Sequence, residues 1–523
     1  MMYGRFAAGL PEFLRQRMST QTAAAILAER LRSRENNLLS TLERCVFRHA
    51  ASPYLFILRE AGCEPGDVRS LVTKEGVDNA LIALERAGVR VTFEEFKGRT
   101  PLVRNGKTFD TSDTSFDNPL GRRSITSQTS GSTGKPTRVN MELDHIADMT
   151  AGRIMAQVAN GVFGQPTIMY RAGLPSTAAI GNILTHIVMG NPVRRWISPV
   201  SSREIAAPVR FRIAGSIIPL IARASGTVFP RMEVVPVSEA ARVARMAHEL
   251  AADEGRCLVR CAVSTSLSVA TAALENGIDL SGVTFMGAAE PPTPAKLRGI
   301  RRSGAAYVSN YAMNEAGMVG AGCPNGSDDT DVHVWQDRIA LVPGSRRPDS
   351  DDGRRVSFAV TSLMTSAPKV MLNVDIDDNG LLERRNCGCG LGALGFDQHV
   401  RQISSSAKLT GRGVTLVGSD IVRVIEEILP GTFGGNSQDY QLVEEEAANG
   451  QTMLTLLINP SITIDDERAP ATLLYDSLAG GRPGASFSGA ILKGSDAVRV
   501  RRVKPLPNAR GKQPAFLISN SSL

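Results

Sequence analysis

Residues 129–136 read Thr-Ser-Gly-Ser-Thr-Gly-Lys-Pro, within a longer segment, 111–136, that is dense in Ser, Thr, Gly and Asp. Glycines let the backbone approach a phosphate closely, hydroxyl and backbone N–H groups donate to its oxygens, and Lys135 adds a compact positive charge. The string is not a Walker loop, which has four residues between its glycines and Ser or Thr after the lysine. A phosphate-binding loop and a flexible Ser/Gly linker are therefore the two interpretations of this segment alone.

The segments around this loop predict an α/β protein with two units. Residues 20–60 have apolar positions at helical spacing, and between residues 140 and 340 short β-type runs alternate with helical segments. This alternation predicts layered α/β structure with a mostly parallel sheet. After Gly390 the pattern changes to that of a small α+β unit. We expect a large N-terminal unit, 1–403, with a helical start, and a mobile C-terminal unit, 404–523.

Composition excludes several classes of protein. The 523 residues are 42% hydrophobic, which is enough for two or three cores. We expect neither a secretory signal nor a membrane span, because the first residues mix Arg, Glu and Pro into any apolar run and no uninterrupted apolar run reaches eighteen residues. Seven cysteines without a signal peptide indicate a reducing compartment, so we expect a cytoplasmic protein. The net charge of +7 comes from dispersed arginines, which argues against a nucleic-acid partner.

Several segments resemble the adenylate-forming superfamily of acyl- and aryl-CoA synthetases. The loop is similar to that superfamily's TSGTTGKP and differs only at Ser132. Met286 to Pro291 resembles the GAEP adenine segment of the phenylacetate–CoA ligase branch, and Tyr311 to Glu315 resembles its YGxTE segment, with departures at Ala312 and Asn314. The residues before Leu71 look like the helical start of the same branch, so the resemblance runs from about Leu42 onward.

The resemblance implies a nucleotide site made of separated segments. The implied cofactors are ATP and Mg²⁺, with Glu315 as a catalytic residue and Mg²⁺ ligand and Lys512, in a Gly-Lys context near the C-terminus, as the catalytic lysine. Asp375 is the implied ribose ligand, with Asp377 and Asp378 close by, and Arg401 is the implied replacement for an arginine missing at the domain junction. The remaining implied nucleotide-binding residues are Thr129, Ser130, Gly131, Ser132, Thr133, Gly134, Lys135, Gly287, Ala288, Ala289, Glu290, Pro291, Tyr311, Ala312, Met313 and Asn314.

Cysteine and histidine spacing predicts a structural zinc site. Cys387 and Cys389 lie on one tight turn, and Cys323 and His333 lie upstream, which gives the four ligands of a tetrahedral Zn²⁺. Free cytosolic cysteines are the alternative. Some phenylacetate–CoA ligase relatives look the same here, including an acidic residue at the position of Asp337. With four protein ligands the metal has no open position and is not catalytic.

The implied activity has two half-reactions: a carboxylate and MgATP give an acyl-adenylate and pyrophosphate, and the thiol of coenzyme A then displaces AMP. The resemblance implies a small carboxylic acid, aromatic or arylacetic, bound near Tyr170 to Leu174 and Val263 to Leu267. A carrier-protein thiol or an amine stays open as acceptor, and a homodimer stays open as the assembly. A degenerate nucleotide-binding protein without turnover is the alternative, because the junction residues Ser404 to Ser406 depart from the family pattern.

Overall fold

The computed structural model describes residues 2–121, 124–128, 138–174, 176–201, 209–346, 354–405, 408–411, 414–446, 450–479, 492–493, 497–506 and 515–518. The predicted phosphate loop, 129–135, and Lys512 lie outside these residues. No helix in the described part of the chain has the length and apolar character that a membrane span requires.

The N-terminal region is helical, as its apolar spacing predicts. Helix α2 begins after Ser19, whose Oγ accepts a hydrogen bond from Thr22 N at 3.0 Å, and α6 begins with a capping box between Thr92 and Glu95. Two short hairpins follow. The elements are α1 (Met2–Arg15), α2 (Thr20–Arg32), α3 (Arg34–Leu42), α4 (Pro53–Glu60), α5 (Pro65–Arg86), α6 (Phe93–Phe96), β1 (Leu102–Arg104), β2 (Lys107–Phe109), β3 (Ser124–Gln128) and β4 (Arg138–Glu142).

A twelve-stranded sheet forms the centre of the large unit. Its strands are β5 (Thr167–Tyr170), β6 (Arg195–Ser198), β7 (Met232–Val234), β8 (Cys257–Ala262), β9 (Val283–Ala288), β10 (Ala306–Met313), β11 (Gly317–Gly322), β12 (Val332–Val334), β13 (Ile339–Pro343), β14 (Val356–Ser362), β15 (Val374–Arg384) and β16 (Gln398–Ser405). The interspersed helices are α7 (Leu143–Ala159), α8 (Ala178–Val188), α9 (Val209–Ala224), α10 (Ala240–Glu254), α11 (Val263–Glu275), α12 (Pro294–Arg302) and α13 (Gly390–Ala393).

The strand order is β7-β6-β5-β8-β9-β10-β11-β12-β16-β15-β14-β13. The first six strands in this order, from β7 through β5 and β8 to β10, pair in parallel with their neighbours. All later pairs, from β10–β11 to β14–β13, are antiparallel. The expectation of a mostly parallel sheet therefore holds only up to β10, because residues 314–316 turn the chain directly back into β11 and the strands after it pair antiparallel as well. The winding direction reverses between β5 and β8, and ligands bind at the carboxyl ends of strands beside such a switch point.

Both faces of the parallel strands are covered, so side chains that alternate along a strand enter different layers. Cys257, Val259 and Cys261 of β8 pack in a core with residues of α10 and α11, whereas Arg260 faces a cavity beside α7 and α8. Cys257 and Cys261 are thus buried core residues.

The C-terminal unit consists of a hairpin, helices and a four-stranded sheet of order β21-β20-β19-β22. The predicted boundary, 403/404, falls within β16, so we propose the division after Ser405. The α/β class, with a large sheet-centred unit and a small C-terminal α+β unit, is confirmed. The elements are β17 (Lys408–Gly411), β18 (Val414–Val417), α14 (Gly418–Arg423), α15 (Leu429–Phe433), β19 (Tyr440–Glu446), β20 (Thr452–Ile458), α16 (Ala469–Ala479), β21 (Val498–Arg501) and β22 (Phe516–Ile518).

Candidate functional site

A cavity of about 720 Å³ lies beside the switch point of the sheet. Its walls come from one face of α7 and α8, from β8, from the segment after β9, and from the turn between β10 and β11. Residues 444–446 of β19 and Thr452 of β20 add a wall from the C-terminal unit. The cavity is thus bounded by both units and is large enough for a bound small molecule.

The predicted adenine segment lines this cavity from Ala288 to Pro291. Ala289 has a left-handed backbone with φ of 77°, which is unusual for a residue other than glycine and marks a constrained turn. Gly287 does not line the cavity. A Cβ at Gly287 would lie 2.2 Å from Tyr307 Oη, so this glycine permits close packing on the other side of the strand.

The carboxylate of Glu290 is held inside the wall of the cavity. Glu290 is 6% exposed, Ser264 Oγ donates to its Oε1 at 2.6 Å, and Lys296 Nζ lies 3.7 Å from its Oε2. The acidic residue of the adenine segment is therefore neutralised by the protein itself.

The second predicted segment, Tyr311, Ala312, Met313, Asn314 and Glu315, also lines the cavity. It ends β10 and forms the turn into β11. Gly317, with φ of 76°, follows the turn, and a Cβ there would lie 2.7 Å from His145 Nε2 and 2.6 Å from Met149 Sδ. Only glycine lets this turn approach α7 so closely, and the turn directs residues 312–315 at the cavity.

Of the three candidate ribose carboxylates, Asp375, Asp377 and Asp378, only Asp378 is hydrogen-bonded to Tyr311 among the contacts of the described residues. Tyr311 Oη donates to Asp378 Oδ2 at 2.8 Å, and both residues line the cavity; burial and the Asp378 charge raise the pKa of Tyr311. Asp375 does not line the cavity. Its Oδ2 instead accepts a hydrogen bond from Arg346 Nε at 3.2 Å. The structure thus brings Asp378, three residues beyond the predicted Asp375, to the predicted nucleotide segment.

Glu315 is paired with a lysine that the sequence analysis did not single out. Lys97, the C-cap residue of α6, donates to Glu315 Oε1, and the two side chains are only 10% and 12% exposed. Both residues line the cavity. A carboxylate oxygen is the ligand type that Mg²⁺ takes, and in this structure the Glu315 carboxylate is paired with the Lys97 ammonium group.

Arg401 lies in β16 and is directed away from the cavity. Its guanidinium contacts Asp328 Oδ2 at 3.3 Å and Glu383 Oε1 at 3.5 Å, and it is not a lining residue. The following residues Ser404 and Ser405 do line the cavity. Arg355 donates to Ser404 Oγ at 2.7 Å. The structure therefore does not bring Arg401 to the nucleotide segments.

The predicted metal ligands converge at one place apart from the cavity. His333 Nε2 lies 3.1 Å from Cys389 Sγ and 3.5 Å from Cys387 Sγ. Ligand atoms of tetrahedral Zn²⁺ are about 3.5 to 3.8 Å apart, given Zn–N and Zn–S bonds of about 2.0 and 2.3 Å. His333 Nδ1 donates to Phe396 O at 2.9 Å, which leaves the Nε2 lone pair on the side of the two thiols.

His399 is a further candidate ligand that the sequence analysis missed. It lies opposite His333 on the neighbouring strand, and its ligand atom is within 4.8 Å of those of Cys323, His333 and Cys387, a group that does not include Cys389. Its Nδ1 donates to Asp331 Oδ1 at 2.8 Å, and the buried Nε2 has no hydrogen-bond partner within the described residues. The donor set and this orphaned nitrogen fit a zinc ion.

Three buried or partly buried arginines, Arg153, Arg171 and Arg260, also line the cavity. The sequence analysis placed the acid pocket around residues 170–174 and 263–267. Arg171 lies in the first of these ranges. No residue of the second range lines the cavity, but Arg260, three residues before it, does. In the sequence, Arg260 could have been recognised as unusual, because it is a charged residue inside the otherwise apolar strand CLVRCA.

Comparison with known proteins shows the fold. No protein-family model and no curated protein matches the sequence. The chain is similar to 2-hydroxyisobutyryl-CoA ligase, solved with 2-HIB-AMP and CoA in the thioesterification state, with a TM-score of 0.54 and 16% identity over 94% of this chain and 90% of that one. A structure of the same ligase in the postadenylation state, with R3-HIB-AMP, gives a TM-score of 0.43 and 16% identity over 96% and 90%. The amide bond synthetase McbA from Marinactinospora thermotolerans gives 0.42 and 12% over 94% and 98%.

Proposed function

We propose that this chain, which has the fold of an acyl-CoA ligase, is an adenylate-forming ligase (AMP-forming). It activates a carboxylic acid with ATP and passes the acyl group to a thiol, with coenzyme A as the proposed acceptor. The observation that carries the proposal is the meeting of two separate segments, Ala288 to Pro291 and Tyr311 to Glu315, on one cavity beside the switch point. The resemblance of residues 129–136 to a phosphate loop supports it.

The first half-reaction forms a bond between a carboxylate oxygen of the acid and the α-phosphorus of ATP. The bond from that phosphorus to the oxygen bridging to the β-phosphate breaks, and pyrophosphate leaves with the electron pair. In our proposal Tyr311 packs on adenine and Asp378 accepts hydrogen bonds from the ribose. Lys512 stabilises the negative charge that develops on the reacting oxygens. In the second half-reaction the thiol attacks the acyl carbonyl and AMP leaves.

Glu315 is the proposed ligand of Mg²⁺, which would neutralise phosphate charge during displacement. Lys97 is paired with Glu315 in this structure, so the pair compensates the charge of the carboxylate. With Mg²⁺ held by Glu315, the Lys97 ammonium group would be a candidate partner for a phosphate oxygen.

A structural Zn²⁺ is proposed at the Cys/His cluster. Cys323, His333 and Cys387 are its ligands, with Cys389 or His399 as the fourth. Such an ion would tie the loop after β11 to the turn before α13 and would take no part in the reaction. None of the seven cysteines forms a disulfide in this structure, which supports the proposed cytoplasmic location. The homodimer and the acyl carrier protein stay predictions.

ATP–pyrophosphate exchange over a panel of carboxylic acids tests the proposal. We expect exchange with at least one acid, and we expect Lys512→Ala and Glu315→Ala to lower it by about 100-fold or more, the usual effect of removing a group that stabilises transition-state charge. Lys504→Ala, an exposed lysine in the same C-terminal stretch, is the control and keeps the wild-type rate.

Two other outcomes would point elsewhere. Nucleotide binding without exchange for any acid favours the degenerate homologue, which is motivated by the departure of Ser404 to Ser406 from the family pattern. Exchange without transfer to coenzyme A favours a carrier protein or an amine as acceptor.

A further inference from the structure

One end of the cavity carries three guanidinium groups. Arg171 directly follows β5, and Arg260 belongs to β8, the strand on the other side of the switch point. Arg153 comes from α7, on the same helical face as His145 and Met149, which also line the cavity. The three arginines therefore come from separate elements that meet where the fold places a ligand.

Arg153 is held by neutral groups only. Its Nη1 donates to Thr185 Oγ1 at 2.6 Å and to Gly181 O at 3.3 Å, both on α8. The side chain is 9% exposed, and its Nε has no hydrogen-bond partner among the described residues. A buried donor without a partner costs free energy unless a ligand completes it.

The other two arginines also have neutral partners. Arg171 Nη2 donates to Cys261 O at 2.8 Å. Arg260, 8% exposed, donates from Nη1 to His186 Nε2 at 3.4 Å. His186 is an acceptor because its Nδ1 donates to Asn191 O at 3.2 Å, and burial together with Arg260 lowers its pKa to about 3. His186 is thus neutral and compensates no charge.

No ion pair joins these three arginines to a carboxylate in the part of the chain that the structure describes. Glu290 lines the same cavity and its charge raises the pKa of Arg171, but its carboxylate is engaged by Ser264 and Lys296. Burial and mutual repulsion lower the pKa of Arg153 and lower that of Arg260 to about 9. Arginine stays charged at neutral pH, so this end of the cavity holds uncompensated positive charge.

We propose that the acid activated at this site carries a second carboxylate, which Arg153, Arg171 and Arg260 bind at the end of the cavity. The inference rests on the proposed function and names its substrate class, a dicarboxylic acid. Guanidinium groups bind a carboxylate with paired N–H donors, and all three arginines line the cavity without an anionic partner among the described residues. One carboxylate is held there while the other reaches the α-phosphate beside Tyr311 to Glu315.

The experiment compares matched acids in ATP–pyrophosphate exchange. Straight-chain diacids from butanedioate to octanedioate are each paired with the monocarboxylate of the same carbon number. We expect kcat/KM to favour a diacid by on the order of 100-fold or more, because a site with buried donors rejects an analogue that lacks their partner. Arg153→Gln and Arg260→Gln lower kcat/KM for that diacid by on the order of 100-fold and change the value for the monoacid by less than about threefold.

Controls separate folding from recognition. Arg194→Gln is the matched surface variant: Arg194 precedes the amino end of β6, is exposed, and pairs with Glu254 at 3.1 Å. It keeps the wild-type preference. Arg153→Lys retains part of the preference because it keeps the charge. Arg153→Met removes a buried charge that has no anionic partner among the described residues. We therefore expect this variant to unfold at or above the wild-type temperature, which would show that its loss of diacid preference is not a folding defect.

Other outcomes overturn the inference. The wild-type protein could use monoacids as well as diacids, with the same rates in Arg153→Gln. That result would refute binding of a second carboxylate but not the proposed adenylation. A rise in KM for ATP that is the same with every acid assigns the arginines to nucleotide phosphates. If no acid supports exchange, the proposed function fails, and calorimetric titration of the diacids decides the inference. Binding that Arg153→Gln abolishes upholds it, and absence of binding refutes it.

Discussion

The hydrogen bond from Tyr311 to Asp378 shows how one side chain can fix the register of a site. Asp375, Asp377 and Asp378 lie within four residues of one strand, and sequence alone gave them similar contexts. Asp375 is held by Arg346, and Asp377 has a left-handed backbone with φ of 65° and lies 3.5 Å from Arg346. Irregular pairing of β15 places Asp378 beside Tyr311. Spacing in the sequence does not reveal such an irregularity.

Asp378→Asn tests this assignment. We expect KM for ATP to rise by about 10- to 100-fold, since hydrogen bonds to a charged group contribute about 1.5–3 kcal/mol, with a smaller change in kcat. Discrimination between ATP and 2′-deoxyATP should fall in the same variant. Asp375→Asn is the control and leaves both quantities near wild type. The reverse pattern, with KM raised only by Asp375→Asn, would restore Asp375 as the ribose ligand.

At the scale of elements, the Cys/His cluster joins pieces that lie far apart in sequence. Cys323 follows β11, His333 belongs to β12, Cys387 precedes α13 and His399 belongs to β16. Strands β12 and β16 are antiparallel neighbours with His333 opposite His399. The thiols formed a visible motif in the sequence, whereas His399 became a candidate only through this pairing, which brings together residues 66 positions apart.

Metal analysis of the purified chain tests the zinc site. We expect about one zinc per chain, with loss of the metal in Cys387→Ser and His333→Asn because each removes a ligand. Chelation lowers the unfolding temperature, since the ion links separate elements. Cys63→Ser, which changes a half-buried cysteine outside the cluster, keeps the zinc.

Cys389→Ser and His399→Asn are compared to identify the fourth ligand. The residue whose substitution causes loss of the zinc is that ligand. Metal-free protein that is fully folded, with an unfolding temperature that a chelator does not change, would rule the site out.

At the scale of the whole molecule, the C-terminal unit closes one side of the cavity. Residues 444–446 and Thr452 line it, and Gly450 lies against the start of α12. A Cβ at Gly450 would lie 2.5 Å from the carbonyl carbon of Ala295 and 2.6 Å from Lys296 N. The contact is between two backbones, so neither side can give way easily. Glycine here permits the arrangement in which the two units share the cavity.

Gly450→Ala should disturb this arrangement more than it disturbs folding. We expect acyl-CoA formation to fall by about tenfold or more, which corresponds to a barrier raised by about 1.4 kcal/mol. Gly255→Ala is the matched control: Gly255 has a φ of 79°, close to the 81° of Gly450, and a Cβ there meets nothing within 4 Å. Alanine is strained at both positions because both have a positive φ, so we expect the unfolding temperature to fall in both variants. Equal activity in the two variants would show that the Gly450 contact is not needed for turnover.

The sequence by itself determined the fold class, the two-unit organisation and the two segments that line the cavity, because apolar periodicity and short motifs are local properties of the chain. It also predicted the cysteines of the Cys/His cluster. Only the tertiary structure decided which carboxylate faces Tyr311, that Lys97 pairs with Glu315, and that His399 joins the cluster. It also brought Arg153, Arg171 and Arg260 together. These contacts join separate elements, and their geometry is set by strand order, register and helix packing, which no single stretch of sequence encodes.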